Sequence, residues 1–165
     1  MTNFKLLNQT LIDTVANAAA NSQRLRKNHN FHELSDQVQR FLNIMQPGTY
    51  VRPHRHLRPD NQNGFEFFLV LQGKVGVLLF DQSGTILETT QLSYQNHNYA
   101  IEIPEGTFHT LVALAPNTAL FELKEGPYHP QTDKDFLTLF PAEGTSEAQA
   151  QVQSWEAQFA DALSN

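Results

Sequence analysis

A chain of 165 residues with 40% hydrophobic and 17% charged residues has enough apolar material for one folded domain, which excludes a disordered polymer. A formal net charge of −6 and a pI near 5.6 argue against a nucleic-acid partner, which needs a clustered basic surface. The absence of cysteine excludes disulfides and thiolate metal ligands and fits a cytoplasmic setting.

Leu7, Leu11, Val15 and Ala18/Ala19 recur at helical spacing and predict an amphipathic helix from about Asn8 to Asn21, laid on the outside of the main body. Asp13 and Asn17 interrupt the apolar run there, so it reads as a helix rather than a secretion signal, and no stretch reaches membrane-spanning length. Residues 23–32 are the densest basic stretch. They read either as a solvated connector or as a place where Arg24 and Arg26 reach over a barrel mouth to hold an anion. Alternation over 37–45 predicts a strand ended by Pro47-Gly48, and Tyr50-Val51-Arg52 leads into His54-Arg55-His56.

Residues 65–71 and 74–80 are expected to pair as a hairpin closed by Gln72-Gly73. A turn at 81–84 precedes a strand at 85–89, and Asn96-His97-Asn98 is a polar corner. Segments 99–103, 107–113 and 118–124 complete a series of short strands, the pattern of an all-β sandwich or closed barrel. Residues 129–134 read as loop, and 135–140 as a short apolar segment stopped by Pro141. Ser146 with Gln149 reads as a capping box opening a terminal helix whose face is Val152, Trp155, Phe159 and Ala162/Leu163. With no repeat or linker, residues 1–165 form one domain with a barrel core at about 37–126.

The chemistry concentrates at His54-Arg55-His56. On a strand, residues two apart share a face, so both imidazoles project together, as a divalent transition metal requires. Glu66 opens the apolar run 67–71, a costly place for a carboxylate without a positive partner. His109 follows a Pro104/Gly106 turn, giving three histidines and one glutamate for a single metal. The alternative is a metal-free site whose histidines contact a sugar or act as acid and base. For Glu66 the alternative is a carboxylate bonded to a ligand histidine. His29, His32, His97 and His129 read as surface residues. Tyr50 and Arg52 face the barrel if the strand into His54 stays regular, and Pro53 can reverse that. Glu122 and Lys124 alternate with Phe121 and Leu123, so they line either a polar cavity or a half-exposed strand.

Gly48, His54, His56, Glu66 and Gly73 resemble the first cupin motif, and Pro104-x-Gly106-x-x-His109 resembles the second. The spacer from His56 to Glu66 is longer than usual, and Asn98 and Ala113 replace the second motif's flanking Gly and Asn. The phrases 47–56, 80–84 and 121–128 narrow the likeness to the WbuC-type cupin-fold metalloproteins, whose relatives occur in surface-polysaccharide gene clusters. The resemblance spans roughly 24–144. It implies a double-stranded β-helix, a jelly-roll barrel with a helix at each end. One divalent ion (Zn, Fe, Mn, Ni or Cu) is then held by His54, His56, Glu66 and His109, and a homodimer is expected.

It also places Lys124 beside the metal cavity. Arg52, Glu122, Lys124 and Tyr128 are therefore expected to bind a small carboxylate- or phosphate-bearing ligand, with Arg52 gripping the anion. Two functions follow: a metal-dependent enzyme on a small anionic or sugar-derived substrate, of isomerase or lyase type rather than an iron-dependent dioxygenase, or a non-catalytic binding module.

Overall fold

The computed structural model describes residues 4–95, 97–129, 131 and 133–161. Along β2 (Val38–Met45), β4 (Glu66–Gln72), β5 (Lys74–Phe80), β8 (Phe108–Ala113) and β9 (Thr118–Glu125), alternate side chains turn to a shared interior. Met45, Phe68, Val70, Val75, Val77, Leu111 and Leu120 meet there, joined by Leu92 of β6 (Ile86–Ser93) and Ile103 of β7 (Ala100–Ile103). One antiparallel sheet runs β1 (Arg26–Asn30), β2, β9, β4, β7. The facing sheet runs β10 (Asp135–Phe136), β3 (His54–Arg55), β8, β5, β6. This is the expected all-β jelly-roll barrel.

A helix covers the outer face of each sheet. α1 (Gln9–Ala20) starts where Asn8 Oδ1 accepts the Leu11 N–H at 3.0 Å, and its Ile12, Val15, Ala16 and Ala19 bury Leu42, Ile44 and Ala119. α2 (Ser146–Asp161) sets Ala148, Val152, Trp155 and Phe159 on Leu78, Phe80, Phe108 and Val112. Core on one side and α2 on the other leave every residue of β8 buried. Phe159 rests directly on the backbone of β5, because a Cβ at Gly76 would stand 2.4 Å from its ring. Among the described residues no helix is long and apolar enough to cross a membrane.

Several expectations change. Residues 65–71 and 74–80 form strands but not a hairpin, since β4 is paired on both edges by β7 and β9 while β5 lies between β6 and β8. Gly73, at φ +77°, carries the chain from one sheet to the other, packed so closely that a Cβ would lie 2.9 Å from Thr118 Cα. No regular strand precedes His54. Tyr50 therefore faces α2, stacking on Trp155 at 5.8 Å and donating to Pro141 O at 2.8 Å, rather than entering the barrel. The basic stretch is neither free connector nor anion clamp. It becomes edge strand β1, with Arg24 and Arg26 held by Glu143 at 2.8 and 2.7 Å.

His32 is buried rather than exposed, its Nδ1 accepting the Arg40 N–H at 2.9 Å. The cap of α2 is Thr145, one residue before the expected box, with its Oγ1 accepting from the Ala148 N–H at 3.2 Å. Gln149 instead donates to Gly48 O. Asn96, residues 130 and 132 of the expected loop, and Ala162 and Leu163 of the helix face lie outside the described residues.

Candidate metal centre

At one end of the barrel the inward positions turn from apolar to ionisable. Val70 and Phe68 give way to Glu66 on β4, Leu120 to Glu122 and Lys124 on β9, and Leu111 to His109 on β8. Pairing sets the rest. His54 lies opposite His109, and Glu66 opposite Lys124. The ligand atoms of His54, His56, Glu66 and His109 lie within 4.8 Å of one another, and all four residues are buried.

The long spacer does not displace Glu66, because Glu105 ties it down. Its carboxylate accepts the N–H groups of Arg58 at 2.5 Å and Gly64 at 3.1 Å, and His56 O accepts the Gly106 N–H at 3.0 Å. Those backbone bonds hold the Glu105 carboxyl below its ordinary range. Both ends of the 58–64 loop are thus fixed to the turn before β8, and the chain re-enters β4 with Glu66 inward.

Proton positions follow from the backbone. Nδ1 of His54 faces Arg52 O at 2.9 Å, Nδ1 of His109 faces Thr107 O at 2.9 Å, and Nδ1 of His56 faces Asp133 O. A neutral imidazole that donates from Nδ1 presents a bare Nε2. The Nε2 atoms of His56 and His109 then meet Glu66 oxygens at 3.0 and 2.8 Å, and among the described residues that of His56 has no hydrogen-bond partner. In the tautomers that these carbonyls favour, lone pairs converge, and without a cation a ring proton on Nε2 has to bridge His109 and Glu66 Oε2 at 2.8 Å. A cation resolves this conflict, and three imidazoles with one carboxylate suit a divalent transition metal.

The electrostatics agree. Burial, reinforced by the Lys134 charge, holds His54 well below the usual histidine range, so the ring is neutral at neutral pH. Burial pushes Glu66 up, but hydrogen bonds and charge from His109 and His56 outweigh it and hold the carboxyl well below its usual range, so in the metal-free site these rings act as donors to Glu66.

Of the expected ligand-binding residues, Glu122 and Lys124 are buried beside Glu66. Asn43 Nδ2 donates to Glu122 Oε2, and burial, followed by the Glu66 charge, pushes Glu122 up to about 8. Lys124 Nζ lies 2.8 Å from Asp133 Oδ2 and 3.9 Å from Glu66 Oε1. Burial lowers its pKa, yet Glu122, Glu66 and Asp133 together raise it, so the ammonium persists. Tyr128 is half-buried, its ring centre 5.8 Å from Lys124 Nζ. Arg52 lies over the Phe136 ring at 5.7 Å and donates to Thr138 O at 3.1 Å, where the chain has left strand geometry at Pro53.

Sequence reasoning missed Arg58, Asp133, Lys134 and Gln39. The first three sit in segments with no periodicity to betray an inward side chain. Asp133 bridges Lys124 and Arg58, each at 2.8 Å. Lys134 keeps an exposed surface, yet its ammonium acts on Glu66, Lys124 and Glu122, and its own desolvation lowers its pKa. Gln39, opposite Lys124, is fully buried, and among the described residues neither of its amide atoms has a hydrogen-bond partner.

A family model described as a domain of unknown function, DUF6016, matches residues 7–92. CapF, solved with the inhibitor 3-isopropenyl-tropolone, superposes with a TM-score of 0.53 at 22% identity, over 70% of this chain and 32% of that one. KdgF from Halomonas sp. gives 0.48 at 21% identity, over 64% and 83%. A cupin superfamily protein from Desulfitobacterium hafniense gives 0.47 at 16% identity, over 61% and 76%. The likeness to CapF is one of fold, and this chain spans about a third of its length. No curated protein matches.

Proposed function

The chain belongs to the DUF6016 family, and we propose that it is a metal-dependent enzyme acting on a small carboxylate- or phosphate-bearing, sugar-derived molecule. One observation carries the reading. Three imidazoles whose Nδ1 protons are committed to carbonyls converge with Glu66 in a buried site. Zn, Fe, Mn, Ni and Cu all suit this donor set. A bound ion supplies Lewis-acid polarisation of a carbonyl or hydroxyl, or oxygen activation if it is iron.

The surrounding side chains define the ligand. Lys134 adds a positive charge that acts on Glu66 and Glu122 at the site, which favours an anion on the ligand. Arg52, over the Phe136 ring, remains the residue proposed to grip the anion, with the Lys134 charge beside it. Gln39 offers a buried amide donor and acceptor to ligand hydroxyls, which supports a sugar-derived molecule. Tyr128 covers Lys124 and brings a hydroxyl to the mouth. Glu122, protonated beside Glu66, holds a proton where an isomerase or lyase step needs one. The WbuC-type resemblance associates the chain with surface-polysaccharide synthesis, and the lack of cysteine fits a cytoplasmic setting.

Native mass spectrometry of the untagged protein with elemental analysis reads bound metal and retained ligand together. The reading expects one transition-metal ion per chain and turnover of sugar acids or sugar phosphates. A retained ligand released unchanged, with no product from such compounds under any of the five metals, leaves a binding module instead. Light scattering tests the expected homodimer.

A further inference from the structure

Four buried charges alternate in sign across the barrel end. Arg58 Nη2 meets Asp133 Oδ1 at 2.8 Å, Asp133 Oδ2 meets Lys124 Nζ at 2.8 Å, and Lys124 Nζ stands 3.9 Å from Glu66 Oε1. Lys124 lies directly opposite Glu66 in the sheet register, so the lysine needs no backbone movement to reach that carboxylate. Asp133 draws it the other way. In a barrel this dry, an ammonium at contact distance from Glu66 competes with a metal ion for the same oxygen.

We infer that Asp133 is a positioning residue: by holding Lys124 off Glu66, it keeps the Glu66 carboxylate available to the metal. The inference rests on the metal reading above. Asp133 has two further ties to the site. Its backbone carbonyl orients the His56 ring, and its second carboxylate oxygen is anchored by Arg58. The carbonyl survives any side-chain substitution, but the carboxylate also faces Arg58 at 2.8 Å and His56 Nδ1 at 3.9 Å, so its effect through Lys124 is isolated by comparing two backgrounds. Lys124→Met supplies the converse, removing the competing cation while leaving Asp133 paired with Arg58.

The experiment measures Zn2+ and Co2+ affinity by competition with a chromogenic chelator at neutral pH for the parent, Asp133→Asn, Lys124→Met and the double variant. Circular dichroism verifies folding. Asp133→Asn is expected to weaken both ions by about 10–100-fold, the usual size of a loss behind a metal ligand. Lys124→Met binds at least as tightly as the parent, and in its background Asp133→Asn changes affinity by no more than about threefold, because the competitor is gone. An unchanged affinity in Asp133→Asn overturns the inference, as does an equal loss in both backgrounds. If Asp133→Asn does not fold, Lys124→Met alone decides: weaker binding than the parent overturns the inference and equal or tighter binding supports it. A parent that binds neither ion sinks the metal reading and this inference with it, whereas a parent that binds beside an unaffected Asp133→Asn sinks only the latter.

Discussion

Nε2 of His56 and Oε1 of Glu66 face each other at 3.0 Å, both as acceptors in the tautomer that Asp133 O favours. In that tautomer His56 spends its proton on Asp133 O, so the pair repels unless a cation lies between them. His54→Ala or His56→Ala should therefore strip most bound metal while leaving the barrel folded, since the apolar core lies towards the other end of the strands. A protein saturated at about a hundred times its Kd gains roughly 2.7 kcal/mol of stability from the ion, an increment that both variants and chelator-treated parent should lack. Elemental analysis and melting with and without chelator check this. Full metal content in both variants would remove the site.

Stability without metal should depend on pH in a way that Glu122 reveals. Its folded pKa is raised from 4.5 to about 8, so its contribution is complete below pH 4.5 and is lost as pH rises towards 8. His54 and Glu66 are shifted down from 6.5 and 4.5, so their contributions are complete above those values and fail as pH falls below them. The metal-free protein should accordingly be most stable in weak acid. Glu122→Gln, which mimics the protonated carboxyl, should remove the decline between pH 6.5 and 8, worth about 2 kcal/mol, and let stability rise with pH up to 6.5, where Glu122 no longer offsets His54. Melting curves of chelator-treated parent and variant provide the comparison, and identical alkaline slopes contradict the assignment.

The strands and helices were legible because their patterns are local. Alternation placed β2, β8 and β9 to within a residue or so, and helical spacing placed Trp155 and Phe159 on the buried face of α2. The four candidate ligands were legible because three lie on strands and His56 directly beside one, at spacings that fix the direction of the side chain. Asp133 and Lys134 were not, since an irregular segment has no period from which to read direction. Partner choice was equally hidden. Nothing between Gln72 and Lys74 distinguishes a hairpin turn from a crossing between sheets, because that depends on which strands already occupy the edges of β4. The direction of Arg52 was not legible either, as Pro53 ends the regular alternation from which it would be read.

Glu105 should matter for the loop rather than for the core. It is the acceptor for the amides of Arg58 and Gly64, while the Asn63 amide between them is held separately by Glu125 at 2.8 Å. Glu105→Ala should speed hydrogen exchange at Arg58 and Gly64 by about tenfold or more, the worth of one charged hydrogen bond, and leave Asn63 slower to respond. Metal affinity should fall as Glu66 loses its fixed approach. Uniform acceleration along the whole chain would instead mean that Glu105 supports global stability.

Gly76 provides a test of how α2 is seated. A methyl group there should stabilise an isolated strand by roughly 0.5–1 kcal/mol, because glycine is the more flexible residue. In this barrel the methyl would stand 2.4 Å from the Phe159 ring, and that ring is itself buried against β5. Gly76→Ala is therefore expected to destabilise by about 1–3 kcal/mol, the usual cost of overpacking. Phe159→Ala should cost about 3–5 kcal/mol by emptying the same space. The double variant decides between clash and coincidence. With the ring gone, the methyl fills part of the cavity, so Gly76→Ala should turn neutral or stabilising in the Phe159→Ala background. Denaturant midpoints of the four proteins give the coupling directly. Equal costs of Gly76→Ala in both backgrounds would show that the ring does not rest on that backbone, and that α2 is seated by Trp155 and Val152 instead.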